Sequence, residues 1–342
     1  MTHLTQNVMV KSKHTTFAEV GSLIFNTQRE TLSPAEKEAL QSEQLHALLT
    51  RIDQKNRFYH DALQASHVTP NNIQTIADIR KLPLINANDL MLNFPYGLLT
   101  IPVSGIVRFQ QSAPAKATGL TQRDLANQTE MLARCLIAGN VTLASVVMIL
   151  PAGLDPANVL SLQQTAETLG ATVITGFTIN AKDQLKTMLE FGVTTLFAAP
   201  STLIELAQVL HHLGFSTHDL PVIQLWCEAR QLTPEQRTNL AAHYTVPVYA
   251  LYGHSDIMPL GIAGECHLKQ GLHIHEDHFY AEIIDRDTQE VLMDGQPGEL
   301  VLTTLSREGM PLIRYRTGDM AVLDHTPCPC GRTSARLHCL HL

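Results

Sequence analysis

Apolar positions recur at helical spacing near the start of the chain. A proline follows Ser33, a residue type that caps helices, and Leu45 and Leu49 belong to an apolar repeat of three to four residues. This pattern predicts an amphipathic helical segment from Ser33 to Leu63. Prolines then interrupt regular structure. We therefore assign residues 1–93 to an N-terminal helical segment and lead-in.

Apolar runs and helical patterns alternate from residue 94 to residue 251. The predicted helices are Arg123–Ala138, Val159–Leu169, Lys182–Phe191, Ser201–Leu213 and Pro234–His243. The predicted strands are Ser145–Leu150, Thr172–Thr175, Thr194–Ala198, Val222–Trp226 and Val248–Leu251. Strands that alternate with helices of this length form α/β units around a largely parallel sheet. The predicted fold class is therefore α/β.

The pattern changes after Leu251. Short strand-like runs are separated by turn residues, and these runs are Ala281–Asp285, Glu299–Thr304 and Met320–Leu323. Such runs are typical of antiparallel strands joined by tight turns. The sequence therefore predicts a C-terminal antiparallel β subdomain over residues 252–342, after an α/β sheet region over residues 94–251.

Charge and composition exclude several classes of protein. The 342 residues include 24 Lys+Arg and 32 Asp+Glu, giving a net charge of −8, so nucleic acid is not an expected partner. The longest apolar run, Leu143–Leu154, is interrupted by Pro151 and is too short for a membrane span. Residues Met1–Lys13 lack the apolar stretch of a secretory signal. We expect a cytoplasmic globular protein with no membrane association.

Two cysteines lie close together near the C-terminal end. Cys328 and Cys330 are separated by one residue, Gly331 follows them, and Cys266 lies upstream among several histidines. In a cytoplasmic protein, close cysteines indicate a metal site more often than a disulfide.

Two motifs follow the α/β region, namely Tyr252-Gly253-His254-Ser255-Asp256 and Arg314-Tyr315-Arg316-Thr317-Gly318-Asp319. They resemble motifs of the phenylacetate–coenzyme A ligase-like branch of the adenylate-forming superfamily. The order of that branch's motifs continues through Asn56–Tyr59, Phe94–Leu98, Ala199–Ser201, Glu265–Cys266, Gly271–Phe279, Glu282–Asp285, Gly298–Leu305 and Cys330–Thr333. An ordered series is more specific than any single motif. The resemblance covers about residues 25–336 and implies the N-terminal domain of an adenylate-forming enzyme.

The resemblance implies a site for ATP or AMP, magnesium and an aryl or acyl carboxylate. The implied nucleotide-binding residues are Glu228, Tyr252, Gly253, Ser255, Asp256 and Asp319. In this site Tyr252 would stack on adenine, Asp256 would hold magnesium and Asp319 would accept the ribose hydroxyls. Taken alone, Asp319 also fits an ordinary turn, where Asp is common. The order of the motifs, rather than any one residue, favours the nucleotide site.

The resemblance also implies a structural zinc site. Its four implied ligands are Cys266, His273, Cys328 and Cys330. Three thiols and one imidazole suit a closed tetrahedral zinc site, and some relatives have the same four positions. His267 and His275 compete with His273 as the fourth ligand.

Two departures from the family pattern argue against autonomous carboxylate–CoA ligation. The loop Phe109–Leu120 lacks the paired glycines and threonines that let backbone N–H groups approach a triphosphate, and Pro114 removes one donor. Ser112 and Lys116 could partly substitute. The chain also ends nine residues after Thr333, where relatives continue into a C-terminal lid domain with the catalytic lysine.

Three hypotheses follow. The first is a phenylacetate–CoA ligase-like AMP-binding protein without the lid domain. The second is a non-catalytic binding or scaffold protein, a pseudoenzyme that keeps the fold and the zinc site. The third is a split ligase that a separate polypeptide completes in trans. The expected protein partners are accordingly a second copy of the chain or a separate partner protein.

Overall fold

The computed structural model describes residues 23–174 and 180–340. The α-helices are α1 (Thr27–Glu30), α2 (Pro34–Lys55), α3 (Arg57–Ala65), α4 (Ala87–Leu92), α5 (Gln122–Ala138), α6 (Pro156–Thr168), α7 (Ala181–Phe191), α8 (Pro200–His212) and α9 (Pro234–Tyr244). The strands are β1 (Arg108–Ala113), β2 (Lys116–Leu120), β3 (Val146–Ile149), β4 (Thr172–Ile174), β5 (Thr195–Phe197), β6 (Gln224–Glu228), β7 (Val248–His254), β8 (Met258–Glu265), β9 (Leu272–Ile274), β10 (Phe279–Ile284), β11 (Gly298–Thr304), β12 (Tyr315–Asp324) and β13 (Arg336–Cys339).

One large mixed sheet organises the described residues. Its strand order is β10-β11-β12-β13-β9-β8-β7-β6-β5-β3-β4. Strands β3 to β7 pair in parallel, whereas the pairings from β7 through β10 are antiparallel. Strands β7 and β8 are buried along their whole length, as expected at the centre of a covered sheet. The α/β fold class and the antiparallel C-terminal part are therefore confirmed.

Helix α5 packs against this sheet at β8. Thr121 caps the helix by accepting a hydrogen bond from the N–H of Asp124, and the Asp124 carboxylate accepts one from the Thr121 N–H. At Gly264 in β8, a side chain would meet the Cys135 sulfur at 2.6 Å. Glycine at this position therefore lets the helix approach the strand closely.

The N-terminal segment lies on the antiparallel half of the sheet. Lys37 in α2 pairs with Glu276 at 2.5 Å. The Arg314 guanidinium makes two hydrogen bonds to Glu282, at 3.0 and 3.1 Å, and a third to the Leu82 carbonyl at 2.8 Å. A parallel bridge also joins Ile85 to β12. These contacts fix the N-terminal segment against the antiparallel strands, which include β12, the strand that carries Asp319.

The helical segment predicted from Ser33 to Leu63 is helical in the structure, but it is divided into two helices that meet at Asn56. The Asn56 side chain accepts a hydrogen bond from the Tyr59 N–H and donates to the carbonyls of Gly97 and Leu99. These bonds favour extended backbone at Asn56 and start a new helix there.

Several strands occupy segments in which the sequence pattern predicted none. They are β8, β9, β13 and the two strands of the β1–β2 hairpin, which replaces the predicted loop Phe109–Leu120. The last residue of one predicted strand, Thr175, lies outside the described residues, as does Met1–Lys13. The predicted boundary between residues 251 and 252 falls within β7, and the division into three regions stays a prediction. No helix among the described residues is long and apolar enough to cross a membrane.

Candidate functional site

A polar cleft of about 490 Å³ opens beyond the carboxyl ends of β6 and β7, a common position for ligands of parallel sheets. A second arm of about 210 Å³ shares Arg230 and Ser255 with it. The polar cleft is lined by Asn86, Ala87, Asn88, Lys116, Arg230, His254, Ser255, Asp256, Glu299, Tyr315, Arg316, Thr317 and Gly318. Side chains from the β1–β2 hairpin, β7 and β12 therefore meet around one space.

The Asp319 carboxylate is held from two sides. The Tyr252 hydroxyl donates to Oδ2 at 2.8 Å from inside the protein, and the Arg230 guanidinium pairs with Oδ1 at 3.1 Å. Tyr252 is fully buried, and burial together with the neighbouring Asp319 raises the pKa of its phenol well above the usual range. The phenol therefore remains a neutral donor to the Asp319 carboxylate.

Asp256 has protein partners on both carboxylate oxygens. Its Oδ1 accepts the Ser112 hydroxyl at 2.6 Å, and its Oδ2 accepts the Tyr315 hydroxyl at 2.7 Å and the Lys116 ammonium at 3.2 Å. Burial alone would raise the pKa of Asp256, but the hydrogen bonds from Ser112 and Tyr315 and the nearby charges lower it. Asp256 is thus a carboxylate at neutral pH, although its side chain is only 4% exposed.

His254 connects the Tyr252–Asp256 motif with the Arg314–Asp319 motif through hydrogen bonds to the backbone. Its Nε2 lies 3.1 Å from the Thr317 carbonyl, and its Nδ1 lies 3.3 Å from the Asp256 N–H. A carbonyl only accepts and an N–H only donates, so this arrangement requires neutral imidazole with the proton on Nε2. Burial lowers the pKa of His254, which is consistent with that neutral form.

Glu228 lies at the smaller arm, at the carboxyl end of β6. Its carboxylate accepts hydrogen bonds from the side-chain amides of Asn158, at 3.3 Å, and Gln231, at 3.2 Å. Burial raises the pKa of Glu228, and the nearby Arg230 charge opposes that rise. Glu228 therefore faces the second arm, separate from Asp256.

Gly253 is required by the close approach of β7 and β8. A side chain at this position would come within 2.0 Å of the Pro259 carbonyl oxygen. The register between β7 and β8 shifts between Tyr252 and His254, and such irregularities redirect neighbouring side chains. Ser255 follows, half-buried, at the junction of the two cavities.

A second candidate site lies where β8, β9 and the β12–β13 connection meet. The Cys/His cluster consists of Cys266, His273, Cys328 and Cys330, whose ligand atoms all lie within 4.8 Å of one another. The sulfurs of Cys266 and Cys328 are 4.0 Å apart, and the Cys330 sulfur is 3.4 Å from Nε2 of His273. A tetrahedral zinc would require separations of about 3.8 Å between sulfurs and about 3.5 Å between sulfur and nitrogen. The donor set and its spacing therefore fit a four-coordinate metal.

Neighbouring groups orient the cluster. The Ser334 hydroxyl lies 3.2 Å from Nδ1 of His273, which leaves Nε2 facing the thiols. Hydrogen bonds from Cys266 and His273 lower the pKa of the Cys330 thiol well below its usual range. Cys330 is therefore a thiolate at neutral pH, which is the form that binds metals. His275 instead lies 3.2 Å from the Cys135 sulfur, so among the competing histidines the structure brings His273 to the thiols.

Comparison with known proteins identifies the family. Residues 115–306 match the family model described as AMP-binding enzyme. A phenylacetate–coenzyme A ligase of Thermus thermophilus is 32% identical over 321 residues, which cover 92% of this chain and 72% of that protein. A phenylacetate–coenzyme A ligase of Pseudomonas putida is 33% identical over 314 residues, covering 88% of this chain and 71% of that protein. The chain belongs to the phenylacetate–coenzyme A ligase-like branch of the adenylate-forming AMP-binding enzymes.

A solved structure shows the same fold. The open conformation of a 2-hydroxyisobutyryl-CoA ligase, in complex with 2-HIB-AMP and CoA, superposes with a TM-score of 0.84. The two proteins share 20% sequence identity, and the match covers 93% of this chain and 72% of the ligase. The α/β architecture of the adenylate-forming family is thereby confirmed for this chain.

In this member of the adenylate-forming family, the structure brings the predicted site residues together in two groups. Ser255 and Asp256 line the polar cleft, and Glu228 lines its smaller arm. Tyr252 and Asp319 form the second group. The Tyr252 hydroxyl binds Asp319 from inside the protein, and Arg230, at the edge of the cleft, pairs with the same carboxylate. Their roles toward a nucleotide stay predictions.

Sequence reasoning missed Arg230 and Tyr315 as residues of the site. The Tyr315 hydroxyl binds Asp256, and the Arg230 guanidinium binds Asp319. Tyr315 belongs to the same Arg314–Asp319 motif as Asp319, so the motif could have indicated that Tyr315 lies at the site. Arg230 follows Glu228 by two residues on a short turn, where the sequence alone gives no indication that it reaches the second motif.

Proposed function

We propose that this chain binds ATP or AMP together with a small aryl or acyl carboxylate in the polar cleft. The observation that carries the proposal is that the Tyr252–Asp256 and Arg314–Asp319 motifs lie at one cleft. Asp256 lines this cleft, and Asp319 pairs with Arg230, which also lines it. In this proposal the ribose hydroxyls bind Asp319 when the Arg230 side chain, which is 40% exposed, rotates away. The names of the relatives, phenylacetate–coenzyme A ligases, supply the class of carboxylate.

A ligase of this family makes an acyl-adenylate when a carboxylate oxygen attacks the α-phosphorus and the bond to the pyrophosphate leaving group breaks. That step needs donors for the charge on the triphosphate. Here the backbone of the β1–β2 hairpin pairs with itself from Arg108↔Leu120 to Ala113↔Lys116, and Pro114 at its turn has no N–H. This pairing favours nucleotide binding without turnover, as in the pseudoenzyme hypothesis. A ligase completed in trans is the catalytic alternative.

Two measurements test the nucleotide proposal. Isothermal titration calorimetry measures the binding of AMP and ATP, and ATP–pyrophosphate exchange with phenylacetate measures adenylation. We expect saturable AMP binding that Asp319→Asn weakens by about tenfold, since a charged hydrogen-bond acceptor is lost. The exposed residue Asp287 provides the matched control Asp287→Asn. Absence of AMP and ATP binding would refute the proposal, and measurable exchange would refute binding without turnover.

We propose that the Cys/His cluster holds one structural zinc ion. Three thiolates and one imidazole fill all four positions, so such a zinc would stabilise the strands without taking part in chemistry. Metal analysis of purified protein should give about one zinc per chain. Cys328→Ser should lower the zinc content to less than about half, whereas Cys339→Ser, a half-buried cysteine outside the cluster, should leave it unchanged. Equal zinc contents in the two variants would contradict the proposal.

A further inference from the structure

The β1–β2 hairpin closes over Asp256. Ser112 occupies the irregular position between the pairs Gln111↔Ala117 and Ala113↔Lys116, and bulges of this kind redirect a side chain. Its hydroxyl reaches Oδ1 of Asp256 at 2.6 Å, and the Thr118 hydroxyl reaches the Asp256 carbonyl oxygen at 3.0 Å. The hairpin is therefore fixed on both of its strands to the residue that the family resemblance assigns to magnesium.

Lys116 extends from the same hairpin to the other carboxylate oxygen. It lies two residues before Thr118 on β2, so both side chains project from one face of the strand. Its ammonium lies 3.2 Å from Oδ2 of Asp256, and its side chain is 20% exposed. Lys116 also lines the polar cleft. The hairpin thus places a fixed positive charge between the buried carboxylate and the cleft.

These contacts leave Asp256 poorly suited to a divalent cation. Oδ2 already accepts two hydrogen bonds and Oδ1 accepts one, and the side chain is 4% exposed. Magnesium dehydrates reluctantly and keeps several waters in an octahedral shell, for which a carboxylate this enclosed has no room. A divalent ion at Oδ2 would also lie beside the Lys116 ammonium and be repelled by it.

We infer that the Lys116 ammonium occupies the place of the magnesium ion at Asp256, so that this cleft binds a nucleoside monophosphate without a divalent cation. The inference rests on the proposed function, because it takes an adenosine nucleotide as the occupant. A lysine ammonium has three donors, and Asp256 takes one of them. The others face the cleft with Arg230, which provides a second cation for the same phosphate.

The charge of the site favours a monophosphate over a triphosphate. Lys116 is paired with Asp256, and Arg230 is paired with Asp319 until the ribose hydroxyls take that carboxylate and the guanidinium turns toward the phosphate. Their remaining N–H donors can hydrogen-bond to one phosphate group, but with Asp256 and Asp319 present the two cations leave no net positive charge to offset further phosphates. A metal-free triphosphate carries more negative charge, and the self-paired backbone of the hairpin offers it few N–H groups. The preferred ligand class is therefore a nucleoside 5′-monophosphate or an acyl-adenylate.

Calorimetry of AMP binding tests the inference directly. Zinc-loaded protein is titrated in buffer freed of magnesium on a chelating resin, and again with millimolar magnesium chloride. We expect the two Kd values to agree within about twofold, and Lys116→Met to weaken AMP binding by about tenfold or more without magnesium, since a charged hydrogen bond is lost. Lys186→Met, at an exposed lysine of α7, is the matched control and should bind as the wild type does.

A second measurement requires no nucleotide. Manganese binding, followed by the relaxation rate of water protons, should be absent at Asp256 in the wild type. It should appear in Lys116→Ala, whose short side chain leaves room for the hydrated ion beside Oδ2, and be lost again in Lys116→Ala/Asp256→Asn. Circular dichroism of each variant checks that it folds.

The outcomes distinguish failure of this inference from failure of the proposed function. AMP binding that tightens tenfold or more with magnesium, or wild-type manganese binding that Asp256→Asn abolishes, would overturn the inference and leave the proposed function standing. Wild-type affinity in Lys116→Met would also overturn it. Absence of AMP binding in both buffers would refute the proposed function, and this inference with it.

Discussion

The contact between Tyr252 and Asp319 shows how single residues position this site. The hydroxyl donates from the fully buried side of the carboxylate, while Arg230 approaches from the cleft. A hydrogen bond to an ionised acceptor contributes about 1.5–3 kcal/mol to stability, more than a bond between neutral groups. Tyr252 therefore contributes to the position of Asp319 through its hydroxyl, independently of any contact of its ring with a ligand.

Tyr252→Phe should lower the free energy of unfolding by about 2 kcal/mol, because the ring stays buried while the bond to Asp319 is lost. Urea denaturation followed by circular dichroism measures the change. Tyr280→Phe is the matched control, since the Tyr280 hydroxyl makes no hydrogen bond within the part of the chain that the structure describes. That variant should change the unfolding free energy by less than about 0.5 kcal/mol. Equal effects in the two variants would contradict this role of Tyr252.

At the scale of elements, periodicity predicted the helices and parallel strands well because both depend on local patterns. Helix α5, for example, begins within one residue of its predicted start. The β1–β2 hairpin was missed because its strands are polar and only partly buried, and their partners lie in the other strand and at Asp256. Strand β13 pairs with β12 and β9, and these are contacts between distant segments that no local pattern reveals.

Asn56 and Ser33 begin successive helices but differ in their surroundings. Asn56 caps α3 and also donates to the carbonyls of Gly97 and Leu99 from a buried position, whereas the bonds of Ser33 in its capping box are exposed. Asn56→Ala should therefore cost about 2–3 kcal/mol and Ser33→Ala about 1 kcal/mol. Chemical denaturation of both variants measures the difference. A larger cost at Ser33 would contradict the structural account.

The Cys/His cluster connects elements that are distant in the chain. Cys266 follows β8, His273 lies in β9, and Cys328 and Cys330 precede β13. Removing the proposed zinc should release the pairing of β13 with β9, because two short strands have few hydrogen bonds of their own. Hydrogen exchange measured by mass spectrometry after chelation should accelerate in β9 and β13. Exchange in β3 and β5, in the parallel half of the sheet, provides the internal control, and equal acceleration there would contradict a local role for the proposed zinc.

At the scale of the whole molecule, the buried charges are arranged along the interface between the N-terminal segment, α5 and the antiparallel half of the sheet. Arg134 makes two hydrogen bonds to Asp277, at 2.9 and 3.0 Å, and Arg332 pairs with Glu30 at 2.6 Å. His278 lies in the same interface, with Nδ1 2.7 Å from the Ser306 hydroxyl. These groups depend on the folded state for their partners, so the stability of the molecule depends on their protonation.

His278 makes the unfolding free energy sensitive to mild acid. Burial lowers its pKa in the folded protein, as do the charges of Arg134 and Arg29, while Asp277 and Glu130 oppose the shift. Below its unfolded pKa of about 6.5, the unfolded chain binds a proton that the folded chain does not, so stability falls as pH falls. The slope from this one group reaches at most about 1.4 kcal/mol per pH unit.

His278→Gln should therefore reduce the loss of stability between about pH 6.5 and pH 5.5, because the variant lacks one of the groups whose protonation differs between the two states. His254 and His275, whose pKa values burial also lowers, keep the rest of the slope. Urea denaturation at about pH 7.5, 6.5 and 5.5 measures the slope for each variant. His211→Gln, at an exposed histidine of α8, is the control and should keep the wild-type slope. If both variants show that same slope, the acid sensitivity does not come from His278, which is then as readily protonated in the folded protein as in the unfolded chain.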